Sequence, residues 1–325
     1  MKLPVRVWFA SIVSITFCLF VSVMCWWQPD SWAVFLIWPR WLWLVPGVLL
    51  AGLSWHRLAK HFAVAAGILW LVYAGIFVEE LYWHPQPSTP AGVPVRLVSL
   101  NCAGGNKLAA AEVIALNPDI AFFQESPSRT EVATVAHQLN DSDAGFAMTR
   151  DAAGDTSIIA RGHIESVAVT RPFNIYFTEA RVTLTNGLQV AVICLRLWPY
   201  DLRVDVWTPD CWRTQADVRR RQRELLNWLV ERIAGIPREM PLIVGGDFNL
   251  AGNDALLRRL KPRLHDTFLI SGTGLGNTLI NEFPFVRIDQ IWVNDAVRAA
   301  HVFVRRTENS DHRMVIADLV LPRNQ

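Results

Sequence analysis

The sequence predicts an α/β domain, or a closely related α+β one, joined to a membrane-embedded helical segment. Apolar runs alternating with helical patterns fill residues 95–325, whereas residues 1–83 are nearly devoid of charge. Of 325 residues, 52% are hydrophobic and only 18% charged, which excludes a disordered chain, a coiled coil, collagen and a small disulfide scaffold. Residues 1–83 hold ten of the fifteen tryptophans, with five basic residues (Lys2, Arg6, Arg40, Arg57, Lys60) against three acidic ones (Asp30, Glu79, Glu80). The remainder carries 26 basic and 26 acidic residues, so the net charge of +2 belongs wholly to the N-terminal third. A neutral soluble part argues against a dedicated duplex-DNA binder.

Three transmembrane helices are expected, near 7–27, 38–56 and 62–79. Val7 to Trp27 is uncharged, and 21 residues rising about 1.5 Å each cover a hydrocarbon core of roughly 30 Å. A cleaved signal peptide is the competing reading, but no small-x-small site follows and more apolar sequence does. Trp41 to Trp55 is short for a span, and a re-entrant or interfacial hairpin there would reverse the final side. Lys2 and Arg6 precede the first helix, Arg57 and Lys60 lie between the second and third, and Glu79 and Glu80 close the third. The N-terminus is therefore expected in the cytoplasm and everything after the third helix outside it, as in a bacterial inner-membrane protein with a periplasmic domain. Residues 84–94 contain four prolines and no Asp, Glu, Lys or Arg, and read as a stiff linker. Cys102, Cys194 and Cys211 of the outer domain have no metal-type spacing, and one disulfide among them stays open.

In the domain 95–325, Val95 to Asn101 alternates as a strand, Lys107 to Leu116 reads as a helix ended by Asn117-Pro118, and Ile120 to Glu125 reads as a second strand. Gln189 to Leu197 is a strand after the Asn186-Gly187 turn. A capping-box variant, Thr214 with Asp217, opens a helix that runs to Gly235. Leu242-Ile243-Val244 then empties into Gly245-Gly246-Asp247-Phe248-Asn249. Arg287 to Val293 alternates again, and Ser310-Asp311-His312 precedes a strand over Met314 to Val320. Between strand and helix, Trp198 to Trp212 reads as an aromatic-rich loop, either a substrate wall or a lipid-dipping segment, or simply packed on the domain.

Each strand end carries a carboxylate or amide: Asn101, Glu125, Asp247 with Asn249, and Asp311 with His312 before the last strand. Such hard oxygen donors suit Mg2+ or Mn2+, and the lack of a Cys/His set argues against closed zinc. Asp289 lies inside an apolar strand, where an unpaired carboxylate costs several kcal/mol on an order-of-magnitude scale. It needs a buried partner, and His312 is the natural one. A carboxylate there orients the imidazole and favours its cation, as an oxyanion-stabilising site requires.

Taken in order, Leu100-Asn101, Gln124-Glu125, Gly246-Asp247-Phe248-Asn249, Ile288-Asp289 and Ser310-Asp311-His312 resemble the endonuclease/exonuclease/phosphatase superfamily, which is deoxyribonuclease I-like and also contains sphingomyelinases and inositol polyphosphate phosphatases. The resemblance spans residues 95–325. It implies a four-layer α/β sandwich of two packed β-sheets between helical layers. It further implies Glu125 as principal metal ligand with Asn101 and Asp311 beside the ion, Asp247 activating water, Asn249 positioning it, and His312, held by Asp289, on the scissile phosphate.

The chain departs from the family at one place. Relatives usually show Thr-His-Leu where Leu195-Arg196-Leu197 stands here. A guanidinium can clamp phosphate but does not exchange protons near neutrality. The expected function is a membrane-anchored, Mg2+-dependent (or Mn2+-dependent) phosphoric ester hydrolase of nuclease, phosphodiesterase or phosphatase type. Its expected partners are a lipid bilayer and a phosphate ester from a lipid headgroup, nucleic acid or small molecule, with no obligate protein partner. The rival reading, motivated by Arg196, is a non-catalytic membrane protein using the same pocket to bind a phosphorylated ligand.

Overall fold

A computed structural model describes residues 3–53, 55, 60–81, 91–139, 144–148, 155–170, 172–200 and 203–323. Most of the linker and Arg57 fall outside these residues. The chain forms two compact units. The first comprises residues 1–83, 200–220 and 253–255, and the second residues 84–199, 221–252 and 256–325.

The first unit is helical. It contains α1 (Leu3–Trp27), α2 (Ala33–Leu36), α3 (Leu44–Leu53) and α4 (Lys60–Phe77). Among the described residues, two helical stretches are long and apolar enough to cross a membrane, Phe9–Trp27 and Lys60–Phe77. The helix expected over 38–56 is present but shorter, over residues 40–53. Pro39 precedes a 3-10 turn, Arg40–Trp43, that runs directly into the ten residues of α3, together roughly 23 Å of a hydrocarbon core of about 30 Å. Together with Asp30–Leu36 this stretch forms a pair bent by 80°.

Side-chain contacts fix the directions of these helices. Ser14 Oγ donates to the Gly47 carbonyl (3.0 Å) and Arg40 Nη1 to the Cys25 carbonyl (3.2 Å), so the 40–53 stretch runs antiparallel to α1. Trp70 Nε1 donates to Ser14 Oγ (3.1 Å), Tyr73 OH lies 3.5 Å from Cys25 Sγ, and α4 therefore runs parallel to α1. A Cβ on Gly47 would fall 2.1 Å from the Trp70 ring, so only glycine admits this approach.

The C-terminal ends of α1 and α4 are joined by the other segments of the same unit. Asn253 Nδ2 donates to the Phe77 carbonyl (2.7 Å). Arg219 is 1% exposed and bidentate with Asp254 (2.7 and 3.0 Å), with Gln28 Oε1 at 3.3 Å and Asp30 at 3.4 Å. Trp212 packs edge-on against Trp32 and Phe35. These contacts correct the reading of 198–212 as loop throughout. The helix α7 (Pro209–Ala234) begins five residues before Thr214, because Thr208 Oγ1 accepts from the Cys211 N–H (3.3 Å) as a cap and Pro209 fits the first helical position.

The second unit is a curled mixed sheet with helices. Its first strands and helices are β1 (Val93–Asn101), α5 (Lys107–Glu112), β2 (Ile120–Gln124), α6 (Arg129–Leu139), β3 (Ala144–Met148), β4 (Thr156–Val167), β5 (Phe177–Leu184) and β6 (Gln189–Arg196). After α7 come β7 (Leu242–Asp247), β8 (His265–Asp266), α8 (Thr267–Ser271), β9 (Gly272–Thr273), β10 (Asp289–Val293), β11 (Arg298–Arg305) and β12 (Met314–Leu321). The order is β8-β10-β7-β6-β5-β4-β2-β1-β12-β11-β9, with β3 also on β4. Strand β4 changes partners along its length. Residues 156–160 pair with β2 and residues 162–167 with β5, and Gly162 between them has φ +125. Side chains of β1, β2, β5, β6, β7, β10 and β12 share one buried cluster that includes Leu97, Phe122, Val192, Ile291 and Ala317. Val98, Leu100 and Phe123 of β1 and β2 face the other way, onto α5 and α6. The alternation of inward and outward apolar residues thus builds a core on each face. All five cysteines are buried and unpaired, so no disulfide forms among Cys102, Cys194 and Cys211.

Candidate active site

Strand register brings the polar strand ends together. Asn101 pairs with Gln124, the residue before Glu125, Arg196 pairs with Asp247 in parallel register, and Asp247 pairs with Asp289 across the antiparallel β7–β10 ladder. The close passage of β7 beside β6 requires glycine. At Gly246 φ is +137, and a Cβ would lie 2.0 Å from the Leu195 carbonyl oxygen. Two non-glycine residues of the site, Glu125 (φ 45) and Asn249 (φ 48), sit in the left-handed region, a conformation costing roughly 1 kcal/mol or more and met most often where function holds it.

Asn101 links the two acidic groups. Its Nδ2 donates to Glu125 Oε1 (3.2 Å) and Asp247 Oδ2 (3.1 Å), while its Oδ1 accepts from the Ala103 N–H (3.0 Å). The Gly104 N–H donates to Glu125 Oε2 (2.6 Å) and Arg196 Nη2 to Glu125 Oε1 (2.8 Å). Burial opposes the Glu125 charge, but Arg196, Gly104 and Asn101 together hold its pKa below the usual carboxylate value.

Asp247 is held by Asn249, whose backbone N–H donates to Oδ1 (2.9 Å) and whose Nδ2 donates to Oδ2 (3.1 Å). Burial and then the neighbouring Asp289 push the Asp247 pKa up to about 6, against the pull of His312. Asp289 Oδ2 lies 2.8 Å from His312 Nδ1. Burial disfavours the imidazolium, but the charge and hydrogen bond of Asp289, followed by Asp247 and Asp311, push the His312 pKa up to about 10. The backbone around His312 is pinned by Ser310 Oγ, which donates to the Asn101 carbonyl (2.7 Å) and accepts from the His312 N–H (3.0 Å).

Seven of the eight expected site residues are thus joined by contacts: Asn101, Glu125, Asp247, Asn249, Asp289, His312 and Arg196. Asp311 differs. Its side chain is exposed and, among the described residues, makes no hydrogen bond to Glu125 or Asn101, although its charge acts on His312. Arg196 is placed on Glu125 rather than toward an open phosphate position. Sequence reasoning missed Asp155, whose Oδ1 lies 3.5 Å from Arg196 Nη1, and Gln222, whose Nε2 bonds the Trp198 (2.8 Å) and Asn249 (3.0 Å) carbonyls. No spacing signal marks either residue, since both act through distant partners.

Among the described residues of the site, two groups of side chains are candidates to hold a cation. Asp247, Asp289 and His312 place ligand atoms within 4.8 Å of one another, but all are buried, His312 Nδ1 is committed to Asp289, and both Asp247 oxygens already accept hydrogen bonds from Asn101 or Asn249. Glu125 fits better, whereas Asn101 turns its Nδ2 to that carboxylate and its Oδ1 to the Ala103 N–H. Glu125 is ionised and about a quarter exposed, and hard oxygens suit Mg2+ or Mn2+.

A profile of the Endonuclease/Exonuclease/phosphatase family matches residues 98–312, well over half of the chain. Among curated protein sequences none matches significantly. Among solved structures, the fold is similar to an endonuclease/exonuclease/phosphatase family protein from Bacteroides thetaiotaomicron, with TM-score 0.54 and 14% identity, covering 71% of this chain and 99% of that one. It is also similar to a mannosyl-6-phosphatase of the same species, with TM-score 0.53 and 15% identity over 70% of this chain and 100% of that one. D. rerio TDP2 complexed with a single-strand DNA product gives TM-score 0.51 and 17% identity over 70% and 98%. With the ordered motifs and the matching fold, the chain belongs to the Endonuclease/Exonuclease/phosphatase family.

Proposed function

We propose that this protein is a membrane-anchored, divalent-cation-dependent hydrolase of phosphate esters, with its catalytic domain on the membrane face opposite the N-terminus. The observation that carries the reading is the convergence of Asn101, Glu125, Asp247, Asn249, Asp289 and His312 from separate strand ends into one hydrogen-bonded cluster. Glu125 would hold Mg2+ or Mn2+, with Asp311 and, once its Oδ1 leaves the Ala103 N–H, Asn101 as further oxygen donors, and such an ion neutralises phosphate charge when bound. Asp247, with a pKa of about 6, is ionised near neutrality and placed to accept a proton from water. Asn249 fixes the orientation of that carboxylate. His312 keeps its proton through Asp289 and presents Nε2–H to a phosphate oxygen.

Family members of similar fold act on a phosphosugar or hold a DNA product, which supports a phosphoester substrate. The parallel course of α1 and α4 supports an odd number of crossings, with the bent 30–53 stretch supplying the return. Basic residues near the start of α1 and of α4 then face the cytoplasm, and the domain lies outside it, periplasmic in a bacterial inner membrane.

The test is turnover by the purified full-length protein in detergent on a generic phosphodiester, a phosphomonoester, a plasmid and mixed phospholipids, with Mg2+ and then with chelator. Turnover that the chelator abolishes and that falls about 10²–10⁴-fold in Asp247→Asn supports the reading. A folded protein that binds metal and turns over none of these substrates favours the non-catalytic phosphate-binding alternative, to which the Arg196–Glu125 contact lends its weight.

A further inference from the structure

The cation nearest the Glu125 carboxylate is supplied by the chain itself. Arg196 Nη2 bonds Glu125 Oε1 at 2.8 Å, its Nη1 stands 3.5 Å from Asp155, and its buried Nε has no hydrogen-bond partner. Both side chains of the pair are about a quarter exposed, so small ions reach them. Glu125 Oε1 also takes Asn101 Nδ2, and Oε2 takes the Gly104 N–H. A carboxylate has about four lone-pair directions, of which three are filled. An ion ligated at roughly 2.0–2.6 Å would then share Oε1 with a positive guanidinium, and the two charges repel at close range.

We propose that Arg196 is a resident counter-cation that competes with the divalent ion for Glu125 and is drawn away by a phosphate oxyanion, coupling metal binding to phosphate binding. The inference rests on the reading of Glu125 as a metal ligand. Its geometry suits a movable group. Arg196 is the last residue of β6, beside Asp247 in register, and it holds Glu125 through one nitrogen only. Its Asp155 contact is too long for a hydrogen bond, and its free Nε–H is a donor available to a new acceptor. A phosphate offers several oxygens to the guanidinium fork, a stronger bidentate pairing than the contact it would leave. With the guanidinium moved, Glu125 regains the lone pairs and negative charge that a metal needs, and the released arginine clamps the phosphate beside it.

Mn2+ binding to full-length protein in detergent, read by loss of the free-ion electron paramagnetic resonance signal, tests this without relying on turnover. Wild type, R196Q, R196H and E125Q are compared with and without inorganic phosphate, after melting curves confirm that each is folded. R196Q and R196H are expected to bind Mn2+ about tenfold or more tightly than wild type in the absence of phosphate. Phosphate should tighten Mn2+ binding several-fold more in wild type than in either variant. Equal affinity in wild type and both variants, with E125Q binding none, overturns the counter-cation while leaving Glu125 as ligand. Unchanged binding in E125Q, or none in any protein, overturns the metal assignment and the inference with it. The two Arg196 variants differ in size and shape, and either one that folds suffices for the comparison.

Discussion

His312 Nδ1 lies 2.8 Å from Asp289 Oδ2, although 23 residues separate them, and Asp289 Oδ1 is buried without another partner. The imidazole therefore has one strong reason to keep its proton, and removing it exposes the dependence. Asp289→Asn should lower the His312 pKa from about 10 toward its ordinary value near 6.5. In wild type the alkaline fall in kcat/KM is expected near pH 10. In the variant it should move down by more than two pH units, with a loss of roughly 30-fold at pH 8 once the pKa reaches about 6.5. A pH–rate profile that keeps its alkaline limb in place would remove His312 from the proton-holding role.

Asp247 sets the opposite limb. Its pKa is raised to about 6 by burial and by Asp289, and a base works only when ionised, so activity should rise as pH increases through about 6. The linkage to stability has the reverse sense. A carboxyl whose folded pKa exceeds its unfolded value of about 4 stabilises the fold most at low pH, and that contribution is lost between about pH 4 and 6. Asp247→Asn should therefore melt higher than wild type at pH 7 and nearly level with it at pH 4, while turning over slowly at both. Melting curves at the two pH values check the sign.

Much of this site was readable because its residues break local rules. An acid within the apolar run Ile288 to Val293, and a Gly-Gly-Asp at the end of a buried strand, have few structural excuses, and register then places them side by side. The Arg196–Glu125 contact was not readable. It joins residues 71 apart, and the guanidinium's choice between carboxylate and phosphate depends on side-chain reach rather than on pattern. The start of α7 was hidden for another reason, since Pro209 reads as a loop former until Thr208 is seen to cap it. The 80° bend between Asp30–Leu36 and Arg40–Leu53 likewise leaves no mark in hydropathy.

Arg219 had no sequence signal beyond its helix, yet it is buried on both carboxylate oxygens of Asp254. Breaking one side of a buried pair leaves the other charge unsolvated, at a cost of roughly 3–5 kcal/mol. Arg219→Ala and Asp254→Ala should each lower the melting temperature by several degrees. The double variant should lose less than the two single losses added together, because each single change already removes the contact the other would break. Additive losses in this cycle would show that the two side chains act separately.

Membrane topology offers a test independent of chemistry. Ser14 contacts both Gly47 of α3 and Trp70 of α4, and Cys25 approaches Tyr73, so α4 repeats the direction of α1 and the chain must return between them. A reporter active only outside the cytoplasm should therefore signal when fused after Gln28 and after the C-terminus, and stay silent when fused after Leu53. If the 30–53 stretch merely dipped into one leaflet, α4 would start on the face where α1 ends. The Leu53 fusion would then signal and the C-terminal one would not. Because the two arrangements give opposite readings at two sites, a single set of fusions decides between them, and the basic residues at the start of each long helix favour the first.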